Sequence, residues 1–223
     1  MTKSIIVALD ELQQTKFDHV LDQLDSNLCM VKIGSVSFNS LGRDAVIRTA
    51  SKGFDIFLDL KLHDIPNTVK KSIEGLVDLP IKMMTVHTSG GLKMLQESVE
   101  AAQKRNIKIF GVTALTSLAD EDIQTIYRRN AKDQVLTMIK LAKEANIDGV
   151  VCSPQELDLV KNNSDLLTIT PGIRIESLGD DQTRTMNPKE AIDNGSDFLV
   201  IGRPITASTN IKNSLQQIHE SIQ

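Results

Sequence analysis

The ten-residue run Asp59-Leu60-Lys61-Leu62-His63-Asp64-Ile65-Pro66-Asn67-Thr68 is the segment richest in side chains that can do chemistry. Side chains along a strand alternate between its two faces, so Asp59 and Lys61, two residues apart, share a face. If that face lines an interior, a carboxylate and an ammonium stand together. Asp64 falls just beyond the strand. Pro66 suits the first turn of a helix, so a helix is expected to open over Ile65–Thr68. The competing account is a structural ion pair followed by a capped helix, because salt bridges need no chemistry.

Lys32 lies in the apolar run Met30-Val31-Lys32-Ile33-Gly34. A lysine there is costly unless it is paired or near water. A carboxylate from the next strand is its natural partner, which suggests an alternating array Lys32–Asp59–Lys61–Asp64. A Schiff-base lysine and a purely structural one are the rival roles. A third group closes the chain: Thr170-Pro171-Gly172-Ile173-Arg174 and Val200-Ile201-Gly202-Arg203-Pro204-Ile205. Gly202 allows close backbone approach to an anion, and Arg203 offers a forked donor, so a phosphorylated ligand is expected here. Of the four histidines, His63 and His87 could be imagined holding a divalent metal with Asp59 and Asp64. No two histidines have helix-face ligand spacing, however, and the expectation is no metal. His19 and His219 read as surface residues of helices.

These residues need a scaffold that gathers them. Short β-branched runs at Ile5–Leu9, Cys29–Ile33, Ile56–Lys61, Met83–His87, Ile107–Thr113, Gly149–Cys152, Leu167–Thr170 and Phe198–Ile201 alternate with helix-period segments. Leu92–Gln103, Val135–Ala145 and a last helix near Ile211–Ile222 are examples. An unbroken rhythm of eight such units predicts α/β architecture, a single-domain (β/α)8 TIM barrel over residues 1–223. An open doubly wound sheet is the competitor, but the first strand ends in Ala-Leu-Asp-Glu and lacks a Gly-rich phosphate turn. Asp10, Lys32, Asp59, Lys61, His87, Thr116, Arg174, Gly202 and Arg203 all fall at or just past strand ends. Barrel enzymes place their sites on that face, and phosphate sites commonly follow strands seven and eight.

The 223 residues carry a formal charge of −4, no Trp and one Tyr, and no basic cluster is present. Nucleic-acid and membrane-surface binding are therefore not expected. No apolar run of membrane-spanning length occurs, the N-terminal one being cut by Asp10, and no signal peptide is expected. Cys29 and Cys152 lie in apolar runs and read as buried, reduced thiols of a cytoplasmic protein.

The run DLKLHDIPNT resembles the signature of the orotidine 5′-phosphate decarboxylases. The likeness extends, in order, to VALD at the first strand, KIG at the second, ALTS after the fifth, TPGIR after the seventh, DDQTR in the next loop and VIGRPIT at the eighth. It covers essentially the whole chain. A DxKxxD core is shared with a wider superfamily of sugar-phosphate decarboxylases and synthases, whereas DIPNT, DDQ and GRPIT are more specific. The resemblance implies cofactor-free conversion of orotidine 5′-phosphate to UMP by a homodimer with shared active sites. It implies that Asp10 and Lys32 contact the ribose, that Asp59 lies beside the substrate carboxylate, and that Lys61 protonates the pyrimidine carbon. Asp64, Ile65 and Thr68 would reach the neighbouring subunit's site, and Thr116 the pyrimidine edge. Gln182, Gly202 and Arg203 would hold the phosphate. Arg174 would stand at the root of a closing loop, with Gly179 as its hinge. The segment around Ser37 departs from a family pattern that often carries an acidic residue; no implied role falls there, so the departure puts little of the resemblance in doubt. A Mg2+-using sugar-phosphate enzyme of the same superfamily and a non-catalytic phosphate-binding barrel are the alternatives.

Overall fold

The computed structural model describes residues 3–174 and 186–223. Eight parallel strands close on themselves in sequence order: β1 Ile5–Leu9, β2 Cys29–Gly34, β3 Ile56–Leu62, β4 Met83–His87, β5 Lys108–Val112, β6 Gly149–Val151, β7 Leu167–Thr170 and β8 Phe198–Ile201. The closure is made by β1 against β8, with Ile5 opposite Leu199 and Val7 opposite Ile201. At least one helix follows each strand, among them Pro66–Glu74, Gly91–Gln103, Ala131–Glu144 and Ile211–Ser221. The (β/α)8 expectation therefore holds. Its strand limits shift by a residue or two, and the seventh helical segment begins earlier than its apolar stripe because Asn130 caps it through the Asp133 amide. Pro66 does occupy the first turn of its helix. Among the described residues no helix is long and apolar enough to cross a membrane.

Alternation along the strands builds two cores. One set of side chains, including Ile5, Val7, Leu9, Val31, Ile33, Leu58 and Met84, packs outward against the helices. The alternate set, Ile6, Met30, Phe57, Met83, Phe110, Ile169 and Phe198, fills the barrel itself. Phe110 stands edge-on to both Phe57 and Phe198, with centroids 6.4 and 6.3 Å away. Two residues further along the same inward row the chemistry changes: Met30 gives way to Lys32, Phe57 to Asp59 and Met83 to Thr85. A dry aromatic plug thus forms the floor of a polar mouth. The two cysteines are free and buried, and burial pushes the Cys29 thiol up to about 12.

Candidate active site

The mouth holds a continuous chain of alternating charge. Asp10, just past β1, receives the Lys32 ammonium at 3.1 Å. Lys32, on β2, lies 3.6 Å from Oδ2 of Asp59 on β3, and both side chains are only 10% exposed. The same oxygen accepts from Lys61 at 2.7 Å. The other carboxylate oxygen of Asp59 accepts the Thr85 hydroxyl at 2.9 Å. Burial alone would raise the Asp59 carboxyl. Lys32, then Lys61, then the hydrogen bonds from Lys61 and Thr85 outweigh it and hold the group below the ordinary carboxylate range. An ionised carboxylate is thereby kept on an apolar floor.

Gly34 makes room for this arrangement. A Cβ at that position would stand 2.6 Å from the Asp10 carboxylate and 2.8 Å from the Lys32 ammonium. Ser37 proves more relevant than its sequence context suggests. Its buried hydroxyl accepts the Glu11 amide at 2.7 Å and lies 2.9 Å from the carbonyls of Leu9 and Glu11, so it props the turn that carries Asp10. The Ser37 hydroxyl thereby positions one end of the charge chain.

A cleft of about 530 Å3 opens over these groups. Asp10, Lys32, Asp59, Lys61, Thr116, Arg174, Gly202 and Arg203 all line it, as do Glu11, Phe57, Val151, Pro171 and Thr206. Among the described residues it presents four cationic and three carboxylate side chains. Arg174 is buried, donates to the Ile173 carbonyl, and stands where β7 leads out; Ile173 bridges to Met186. Gly202 precedes the short helix Arg203–Thr206, which puts Arg203 on the β8 rim. Gln182 and Gly179 lie outside the described residues.

Three expected site residues do not line the cleft. Asp64, Ile65 and Thr68 are exposed, Ile65 at 66%. Within the one chain described, Asp64 accepts the Ile65 amide at 2.7 Å, and the alternating array that the side chains form runs Asp10–Lys32–Asp59–Lys61. His63, beyond β3, stacks on His87 at 5.2 Å, and Ser89 donates or accepts at 2.6 Å with His87 Nδ1. Burial first, then His63 and Lys61, lower His87 to about 4. No group of three or more potential metal ligands gathers among the described residues.

The geometry can now be set beside known proteins. The family profile for "Orotidine 5'-phosphate decarboxylase / HUMPS family" matches residues 3–218. This chain belongs to that family. An orotidine 5′-phosphate decarboxylase of Actinobacillus succinogenes is 42% identical over 229 residues, covering 100% of this chain and 99% of the relative. One from Saccharophagus degradans is 44% identical over 220 residues, covering 96% and 92%. The crystal structure of orotidine 5′-phosphate decarboxylase from Lactobacillus acidophilus superposes with a TM-score of 0.89 at 33% identity, over the full length of both chains. Family membership accounts for the barrel.

Proposed function

We propose that the chain decarboxylates orotidine 5′-phosphate to UMP, releasing CO2 without a cofactor. The observation that carries this reading is the unbroken chain Asp10–Lys32–Asp59–Lys61 on the floor of a cleft whose rim bears Arg174 and Arg203. Full-length relatives at 42–44% identity that bear this name support it.

Loss of CO2 leaves an electron pair on a pyrimidine carbon with no cofactor to receive it. Lys61 stabilises that developing anion and then protonates it. Asp59 lies beside the departing carboxylate. Two unit charges about 4 Å apart repel by roughly 4 kcal/mol at an effective dielectric near 20. That repulsion helps only while the rest of the substrate is held. Asp10 and Lys32 hold the ribose hydroxyls, Thr116 the pyrimidine edge, and Gly202 and Arg203 the phosphate, joined by Gln182. Arg174 adds a second guanidinium to the cleft at the end of β7. Lys32 and Lys61 keep the buried Asp59 carboxylate ionised where an isolated buried charge would neutralise.

The working unit is a homodimer with shared sites. Asp64, Ile65 and Thr68 face outward at the start of the helix Pro66–Glu74, and an apolar side chain as exposed as Ile65 suits burial against a second copy. The enzyme is cytoplasmic, consistent with free buried thiols, and its partner is a small phosphorylated substrate and neither nucleic acid nor membrane.

The test mixes the protein with orotidine 5′-phosphate and follows loss of the substrate's ultraviolet absorbance after dialysis against a chelator. Turnover supports the reading. No turnover, or turnover only after Mg2+ is returned, overturns it. The shared site is tested by mixing Lys61→Ala and Asp64→Ala homodimers under subunit exchange. A mixed dimer has one site with both lesions and one with neither, so random isologous pairing restores about a quarter of wild-type activity per site. No recovery despite proven exchange would place Asp64 in its own chain's chemistry.

A further inference from the structure

The β3–β4 pairing is irregular where the site is built. Leu58 lies opposite Met84 and Leu62 opposite Val86, so Asp59, Leu60 and Lys61 on β3 face the single β4 residue Thr85. Lys61 takes up the excess with φ 49°, in the left-handed region where a non-glycine residue is held against its preference. A strained backbone carrying a functional side chain needs something to hold it. The Thr85 side chain, fully buried, bonds both ends of the irregular stretch. Its Oγ1 accepts the Lys61 amide at 2.8 Å and donates to Asp59 Oδ1 at 2.9 Å. A hydroxyl has one proton, and an N–H can only donate. The Lys61 amide therefore fills an acceptor site on Oγ1, and the hydroxyl proton is left for Asp59.

We infer that Thr85 is a positioning residue: one buried hydroxyl fixes the Lys61 backbone and the Asp59 carboxylate relative to each other, and so sets the 2.7 Å contact between the ammonium and the carboxylate. The inference rests on the functional reading above for what that contact does, but its geometric half stands alone. The hydroxyl does not line the cleft and acts only through the two residues that do. Freed from Thr85, the carboxylate can rotate about its last bond and the strained turn at Lys61 can relax. Both movements displace the proton donor, while the phosphate and ribose contacts on other strands stay in place.

The test compares Thr85→Val, which keeps the shape and loses both bonds, with Thr85→Ser, which keeps the hydroxyl. Small displacements of catalytic groups cost up to about 100-fold in rate. Thr85→Val should therefore lower kcat by roughly 10- to 100-fold with KM changed less than about 3-fold, and Thr85→Ser should restore kcat to within about 3-fold of wild type. A folded Thr85→Val protein with wild-type kcat overturns the inference. So does a Thr85→Ser protein as slow as Thr85→Val, since the methyl group and not the hydroxyl would then matter. Should Thr85→Val fail to fold, Thr85→Cys is read in the same way, its thiol being a weak donor and acceptor of similar volume. Crystals of whichever variant folds give a readout apart from turnover: the Asp59–Lys61 contact should open, and an unchanged contact refutes the inference even if the wild-type chain does not decarboxylate orotidine 5′-phosphate. An active wild type with an unaffected Thr85→Val protein sinks this inference and leaves the functional reading intact.

Discussion

Replacing Lys32 with Met removes the cation at the centre of the charge chain while keeping an unbranched side chain to fill its channel. Two pairs are lost, and they are not equal. The Asp10 partner is 48% exposed, so that pair is worth about 0–1 kcal/mol. The Asp59 pair is different, because both side chains are 10% exposed and 3.6 Å apart. At an effective dielectric near 20 that separation corresponds to an attraction of about 5 kcal/mol. Breaking a buried pair from one side costs roughly 3–5 kcal/mol, and Lys61 remains beside Asp59 to moderate the loss, which places Lys32→Met near 3 kcal/mol. For a chain of this size the midpoint of thermal unfolding should fall by about 6–12 °C. Urea unfolding of wild type, Lys32→Met, Asp59→Asn and the double variant closes a cycle, with an expected coupling of about 2 kcal/mol or more. The pH dependence gives a second check. A carboxylate with a lowered folded pKa contributes stability that is present above its unfolded value and is lost as pH falls through the folded one. The difference between wild type and Lys32→Met should accordingly be full at neutral pH and shrink on acidification below about 4. A coupling under about 0.5 kcal/mol, or a difference independent of pH, would refute the claim that Lys32 keeps Asp59 ionised.

Lys61→Ala should abolish turnover of orotidine 5′-phosphate and leave the fold largely intact by circular dichroism; retained turnover would remove Lys61 from the chemistry. Arg203→Ala, at the rim and remote from Lys61, should lower kcat as well as raise KM in steady-state assays, because phosphate contacts hold the substrate against the repulsion from Asp59. A change in KM alone would show that ground and transition states use those contacts equally. His87 is lowered to about 4 from 6.5, so the unfolded chain binds a proton between those values that the folded chain does not. Stability should fall as pH drops across that window, and His87→Asn should flatten that part of the urea-midpoint profile.

Much of this site could be read from the sequence because barrel strands are short and alternate strictly. Once Phe57 is assigned inward, Asp59 follows by parity, and Met30 does the same for Lys32. The cleft's apolar lining, Phe57 and Val151, was open to the same argument. Lys61 shows where parity stops sufficing. It reaches the predicted face, but through an irregular pairing with Thr85 that no pattern of residue types announces, since a threonine in a strand is ordinary. Ser37 was hidden for a similar reason: its partners are backbone groups of Leu9 and Glu11, distant in sequence and silent in composition. Asp64 lies three residues past Lys61 in number, yet the turn after β3 carries it outward, where it accepts the Ile65 amide. Spacing along a strand transmits direction reliably; spacing across a strand end does not.

The closure of β1 on β8 has a kinetic consequence. Asp10 comes from the start of the chain and Gly202 and Arg203 from near its end, yet they line one cleft. The pairing of Ile5–Val7 with Leu199–Ile201 brings the two ends together, and contacts so distant in sequence are slow to form because the intervening chain must first be ordered. The β2–β3–β4 portion, with Lys32, Asp59, Lys61 and Thr85, can assemble locally; the rim that bears Gly202 and Arg203 cannot be presented to it until the seam shuts. During refolding from denaturant, recovery of helix signal should precede recovery of phosphate-ligand binding, and the lag between them measures the time the barrel spends as an open sheet.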